Sequence, residues 1–160
     1  AIISKARGAR VFGLDISPER VATAEKLGCD LGLSADDDAE ERIREFTNGH
    51  GVEVSIECSA SQAGRMLALE SARLWGRVVF LGEHGNLSFN PSFTVVQKQL
   101  TLHGSWMSGI SEMQDTIEHI VRWKLRPEDI VTHTFPLGQV KEAFELSDAG
   151  EAGKVVFVWD

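Results

Sequence analysis

Gly8-Ala-Arg-Val-Phe-Gly-Leu-Asp-Ile-Ser-Pro-Glu-Arg-Val-Ala-Thr-Ala-Glu-Lys-Leu-Gly28 is the stretch whose reading decides the fold. Val11, Phe12 and Leu14 make a short apolar strand, and Asp15 sits where it stops. Ser17 can accept a backbone N–H as N-cap, and Pro18 suits the first helical position, where no donor is needed. Val21, Ala24 and Leu27 recur at helical spacing, and Gly28 closes the helix.

Outward from this unit the alternation of strand and helix continues. Residues 1–7 read as the last turns of a helix. No N-cap precedes Ala1, and Ile2 and Ile3 are already in progress, so the chain is expected to begin inside an element. Cys29 to Leu33 is a short strand candidate. The acidic run Asp36-Asp-Asp-Ala-Glu-Glu41 suits the solvated first turn of a helix in which Ala39, Ile43 and Phe46 share a face. Asn48-Gly49-His50-Gly51 ends it. Val52 to Glu57 is a strand that breaks at Cys58-Ser-Ala-Ser61, and the pattern predicts a helix over 62–74. Gly76 to Gly82 is the clearest strand; its near-continuous apolar run suits a parallel strand covered on both faces.

Residues 83–91 are a polar loop, and Leu100 to Ser105 alternates as an edge strand would. Met113, Ile117, Ile120 and Val121 mark a helix. Pro127 opens a connection, Val131 to Phe135 is extended until Pro136, and Leu137, Val140 and Phe144 mark another helix. Gly153 to Val158 is a last strand.

Alternating strands and helices of this kind predict an α/β fold with a doubly wound parallel sheet. Ligands of such sheets sit outside the carboxyl ends of the strands, so Asp15, Cys58-Ser59 and Gly82-Glu83 are expected to face one crevice. An acid at Asp15 can accept hydrogen bonds from the ribose hydroxyls of a dinucleotide, while its charge disfavours a 2′-phosphate. The blander reading is an Asp that only starts a turn.

Composition removes several classes. The 160 residues carry a net charge of −8 and no basic cluster, which argues against a nucleic-acid partner. No apolar run approaches the roughly 20 residues that span a bilayer, and the start does not resemble a signal peptide. Cys29 and Cys58 match no metal-ligand spacing and read as free buried thiols in a reducing compartment, with the cytoplasm as the default location.

Five segments, in order, resemble the C-terminal half of the medium-chain, zinc-containing alcohol dehydrogenases, closest to the polyol and threonine dehydrogenase branch. They are the Gly8–Gly28 stretch, VEVSIECSAS from Val52, GRVVFLGEHG from Gly76, KQLTLHGSW from Lys98, and IVTHTFPLGQVKEAFEL from Ile130 with GKVVFV from Gly153. The resemblance implies a partial Rossmann-type domain over 1–106. Residues 107–160 would complete the family's catalytic and cofactor core by packing on its catalytic domain. It implies that Asp15 binds the adenosine ribose, Arg20 lies beside the adenine, and the Cys58-Ser59 turn borders the adenosine half. Leu81, Gly82 and Glu83, with backbone groups of Ser105, Trp106 and Met107, would hold the nicotinamide end, and Lys154 would approach the phosphates or be an ordinary surface lysine.

The family's glycine-rich turn, first strand and zinc-bearing domain would lie upstream of Ala1. No catalytic residue is therefore assigned within the chain, and the chain alone is expected to be inactive. None of His50, His84, His103, His119 and His133 has zinc-site spacing. The implied activity of the parent is hydride transfer between NAD, with NADP less favoured, and a secondary alcohol or polyol. A homo-oligomer would form through the edge strand near residues 100–105. The competing expectations are a non-catalytic dinucleotide-binding module or zinc-free reductase, and less so an adenosylmethionine-dependent methyltransferase.

Overall fold

Every strand pairing among the described residues is parallel, as the apolar runs and intervening helices require. A computed structural model describes residues 1–36, 38–150 and 152–159. The contacts divide the chain into two compact units, 1–34 with 109–160 and 35–108.

The first unit opens with the short helix α1 (Ile2–Ala6), followed by β1 (Phe12–Asp15), α2 (Pro18–Lys26) and β2 (Leu31–Ser34). The local signals of the opening stretch act as expected. The Ser17 hydroxyl accepts the Arg20 N–H at 3.4 Å, and Gly28 follows the helix at φ +95°. β1 lies beside β2, with Asp15 opposite Ser34. α2 rests close on both strands because Gly32 has no side chain: a Cβ there would stand 2.5 Å from Val21 Cγ1. The second strand is shifted from the expected 29–33 to 31–34, because Cys29 N–H is still bound to the Ala24 carbonyl at the end of the helix.

The same unit holds α5 (Ile110–Arg122), a 3₁₀ turn (Pro127–Ile130), β6 (Val131–Pro136), α6 (Val140–Asp148) and β7 (Lys154–Val158). β6 and β7 pair with each other. Pro136 does not break β6 but ends it opposite Val158. Leu137 falls in a 3₁₀ turn before α6 rather than on that helix.

In the second unit α3 (Ala39–Phe46), β3 (Val52–Glu57), α4 (Gln62–Ser71), β4 (Ala72–Phe80) and β5 (Thr101–Gly104) form a three-stranded sheet ordered β3-β4-β5, flanked by helices. Glu40 and Glu41 occupy the first turn of α3, as the acidic run predicts; Asp37 lies outside the described residues. Ala39 and Ile43 are buried, but Phe46, expected on the same face, is 46% exposed. The core gathers around Leu69, Ala72 and Val78, with Met66, Phe80 and Leu100 packed against them.

The expected helix over 62–74 ends at Ser71, and residues 72–74 begin the strand. Lys98 explains the early stop. Its Nζ donates to the carbonyls of Leu69, Glu70 and Ala72 at 3.0, 2.7 and 3.1 Å, supplying the donors a helix end lacks. The Trp75 N–H in turn donates to the Lys98 carbonyl at 2.8 Å, and β4 bulges between Ala72 and Arg77. Partial burial pushes the Lys98 ammonium below the usual lysine range. Lys98→Met is expected to lower stability by about 1–3 kcal/mol, because it leaves three carbonyls without this donor. Chemical denaturation checks it; an unchanged midpoint would remove the capping role.

Candidate functional site

An acid at the end of a parallel strand can serve two purposes, and burial decides which. At the end of β1, Asp15 keeps about a third of its side chain exposed. Its Oδ1 accepts the Ser17 N–H at 3.0 Å, which fixes the carboxylate across the turn into α2. The other oxygen, Oδ2, stands 3.8 Å from Arg20 Nη1, beyond hydrogen-bond range. Arg20 Nη2 is held by the Gly150 carbonyl at 2.7 Å. Asp15 is thus a partly exposed carboxylate, oriented by the turn and with its second oxygen in an ion pair with Arg20, an acceptor that a ribose diol could use.

Glu57, at the end of β3, is the opposite case: its side chain is 2% exposed. Oε1 accepts from Ser59 N at 2.5 Å, Ser59 Oγ at 2.6 Å and Ala60 N at 2.9 Å. These bonds hold the Cys58–Ser61 turn, in which Ala60 takes φ +61°. Ser61 then caps α4 by accepting the Gly64 N–H at 2.9 Å.

The end of β4 docks on the same turn. Leu81 N–H and Gly82 N–H donate to the Glu57 carbonyl at 2.9 and 3.2 Å. Gly82 is required there, since any Cβ would collide with the Ala60 amide nitrogen. Cys58, Ser59, Leu81 and Glu83 are exposed around this junction. Ser105 N–H donates to the Phe80 carbonyl at 3.1 Å, so the chain leaving β5 starts beside the end of β4. Trp106 and Met107 follow, 75% and 82% exposed, with Met107 at φ +60°.

Within the second unit the Cys58-Ser59, Leu81–Glu83 and Ser105 segments therefore stand at the carboxyl ends of neighbouring strands. Asp15, Arg20 and Lys154 belong to the first unit. Lys154 is exposed at the start of β7, opposite Val131. Glu57 and Arg65 were not singled out by the sequence pattern. The available signal was an acid ending an otherwise uncharged strand half, followed by an arginine in the first turns of the next helix.

Both thiols are free, as expected, but Cys58 is exposed rather than buried because it lies in the turn beyond β3. Partial burial of the sulfur and the neighbouring Glu57 charge push its pKa up. Among the described residues, no group of three or more His, Cys, Asp or Glu side chains is placed to hold a metal ion. No described helix is long and apolar enough to cross a membrane. In a Cys29→Ser background, iodoacetamide alkylation of Cys58 should rise with pH through a midpoint above about 8.5, the value of a free cysteine. A midpoint below that value would contradict the environment described.

Comparison with known proteins agrees with this architecture. The family model described as zinc-binding dehydrogenase matches residues 1–122. An uncharacterized zinc-type alcohol dehydrogenase-like protein, YphC, of Escherichia coli is 40% identical over 158 residues, covering 97% of this chain and 44% of that protein. The L-threonine 3-dehydrogenase of Symbiobacterium thermophilum is 31% identical over 165 residues, covering 99% and 46%. The solved alcohol dehydrogenase of Thermus sp. ATN1 superposes with a TM-score of 0.84 at 29% identity, covering 98% of this chain and 46% of that one. The chain thus spans a little under half the length of the relatives it matches. With the α/β architecture and the family model agreeing over most of its residues, the chain belongs to the zinc-binding dehydrogenase family.

Proposed function

We propose that this chain is the cofactor-binding part of an oxidoreductase that transfers a hydride between NAD and a secondary alcohol or polyol. The observation that carries the reading is the Asp15 carboxylate, oriented by Ser17 N–H, partly exposed, and with its second oxygen 3.8 Å from Arg20. Relatives named alcohol dehydrogenase, L-threonine 3-dehydrogenase and erythritol/L-threitol dehydrogenase support the reaction class. The nicotinamide cofactor, when bound, supplies the hydride acceptor or donor.

The chain's own residues bind and orient that cofactor. Asp15 accepts the ribose hydroxyls, and its negative charge selects against a 2′-phosphate. Arg20 lies beside the adenine, its guanidinium tethered by Gly150. The Cys58-Ser59 turn borders the adenosine half. Backbone groups at Leu81, Gly82 and Glu83, with those of Ser105, Trp106 and Met107, hold the nicotinamide end, while Lys154 faces the phosphates. The domain boundary belongs at 106, with 107–160 completing the core against the catalytic half of the parent protein.

Zinc, in the parent protein, would be held by residues outside this chain. The chain alone consequently has no turnover. β5, the exposed edge of its sheet, serves as the homo-oligomer contact. A cytoplasmic location accords with the two free thiols.

Titration of NADH into the protein that naturally carries this chain tests the reading. Asp15→Ala should weaken NADH binding about 10- to 100-fold, the equivalent of one or two hydrogen bonds to a charged acceptor. The same variant should narrow the preference for NADH over NADPH. Absence of NADH binding, or affinity unchanged in Asp15→Ala, would contradict the proposal.

A further inference from the structure

Arg65 lies in the first turns of α4, 9% exposed, with its Nε 3.8 Å from Glu57 Oε2. That oxygen is buried and has no hydrogen-bond partner. A buried carboxylate oxygen left in this state is tolerable only beside a fixed positive charge, and the guanidinium supplies it. Another nitrogen of the same guanidinium is also engaged: Nη2 donates to the Gly82 carbonyl at 2.9 Å and to the His84 carbonyl. One carboxylate therefore organises the Cys58–Ser61 turn, and the cation paired with it organises the Gly82–Gly85 segment.

The two turns are also in direct backbone contact. A Cβ on Gly82 would meet Ala60 backbone atoms, and one on Gly85 would stand 2.6 Å from the Ala60 carbonyl oxygen. Neither turn has a regular ladder of its own beyond the strand ends. Their relative position is set by Glu57, by Arg65 and by the Glu57 carbonyl that binds Leu81 N–H and Gly82 N–H.

We propose that Glu57 and Arg65 are positioning residues. As a buried pair they lock the Cys58–Ser61 and Gly82–Gly85 turns into one rigid rim, and this rim receives the nicotinamide cofactor. The inference rests on the cofactor reading above. Arginine suits the task and lysine does not fully replace it. The planar guanidinium sets Nε beside Glu57 while Nη2 donates to two carbonyls, whereas an ammonium is a single point of charge.

The test measures NADH affinity by calorimetry and amide hydrogen exchange in the protein that naturally carries this chain, in Arg65→Met, Arg65→Lys and Glu57→Gln. Folded Arg65→Met is expected to bind NADH at least about tenfold more weakly, as loss of a fixed geometry implies. It should also lose amide protection at Ser59, Ala60 and Gly82, while amides of β1 and α2 keep theirs. Arg65→Lys should recover part of the affinity. A purely structural pair would lower thermal stability but leave the folded variant's affinity unchanged.

Affinity within about twofold of wild type in folded Arg65→Met overturns the inference while leaving the cofactor reading intact. If Arg65→Met does not fold, Glu57→Gln, which keeps the side chain's size, decides by the same criterion. Failure of the wild-type protein to bind NADH overturns the cofactor reading, and this inference with it.

Discussion

The buried carboxylate of Glu57 is the constraint on which the strand ends of the second unit depend. Its first oxygen gathers three donors from Ser59 and Ala60, and its second faces the Arg65 guanidinium. Removing either charge would leave the other in a poorly solvated place. The ladder from β3 to β4 delivers Glu57 and Phe80 opposite one another, and the two turns follow from there. The local geometry is thus inherited from parallel pairing and completed by one ion pair.

The two units use the same construction with different outcomes. Each has a strand ending in an acid that accepts the N–H two residues later, then a serine that caps the next helix. Asp15 is partly exposed. Glu57 is buried and turns its second oxygen toward Arg65. Desolvation separates the roles: an accessible carboxylate can exchange water for a ligand hydroxyl, whereas a buried one must already be satisfied from within the protein. The proposed division of labour between ligand contact and scaffold follows from this difference.

What was legible in the sequence was local. Ser17-Pro18 announced the helix start, and the apolar run before Phe80 announced a buried parallel strand. Small residues after Glu57 announced the turn. What was not legible was set at a distance. The end of α4 depends on Lys98, whose reach to the Leu69, Glu70 and Ala72 carbonyls no helical periodicity can reveal. Cys58 is exposed where its residue type suggests burial, because it lies in the turn beyond β3. Arg65 escaped notice because it belongs to no motif, and its partners lie on β3 and beyond β4. The turns at the carboxyl ends of the strands were readable; the ion pair between Glu57 and Arg65 was not.

The central claim is that the turn after β1, with Asp15 at its start, holds the adenosine ribose of a dinucleotide. The most direct measurement is amide chemical-shift mapping by NMR during titration with ADP-ribose, the part of the cofactor common to its oxidised and reduced forms. The account predicts saturable shifts at Asp15 to Arg20 that are lost or strongly weakened in Asp15→Ala. No shift in this segment, or shifts unchanged in Asp15→Ala, would contradict it.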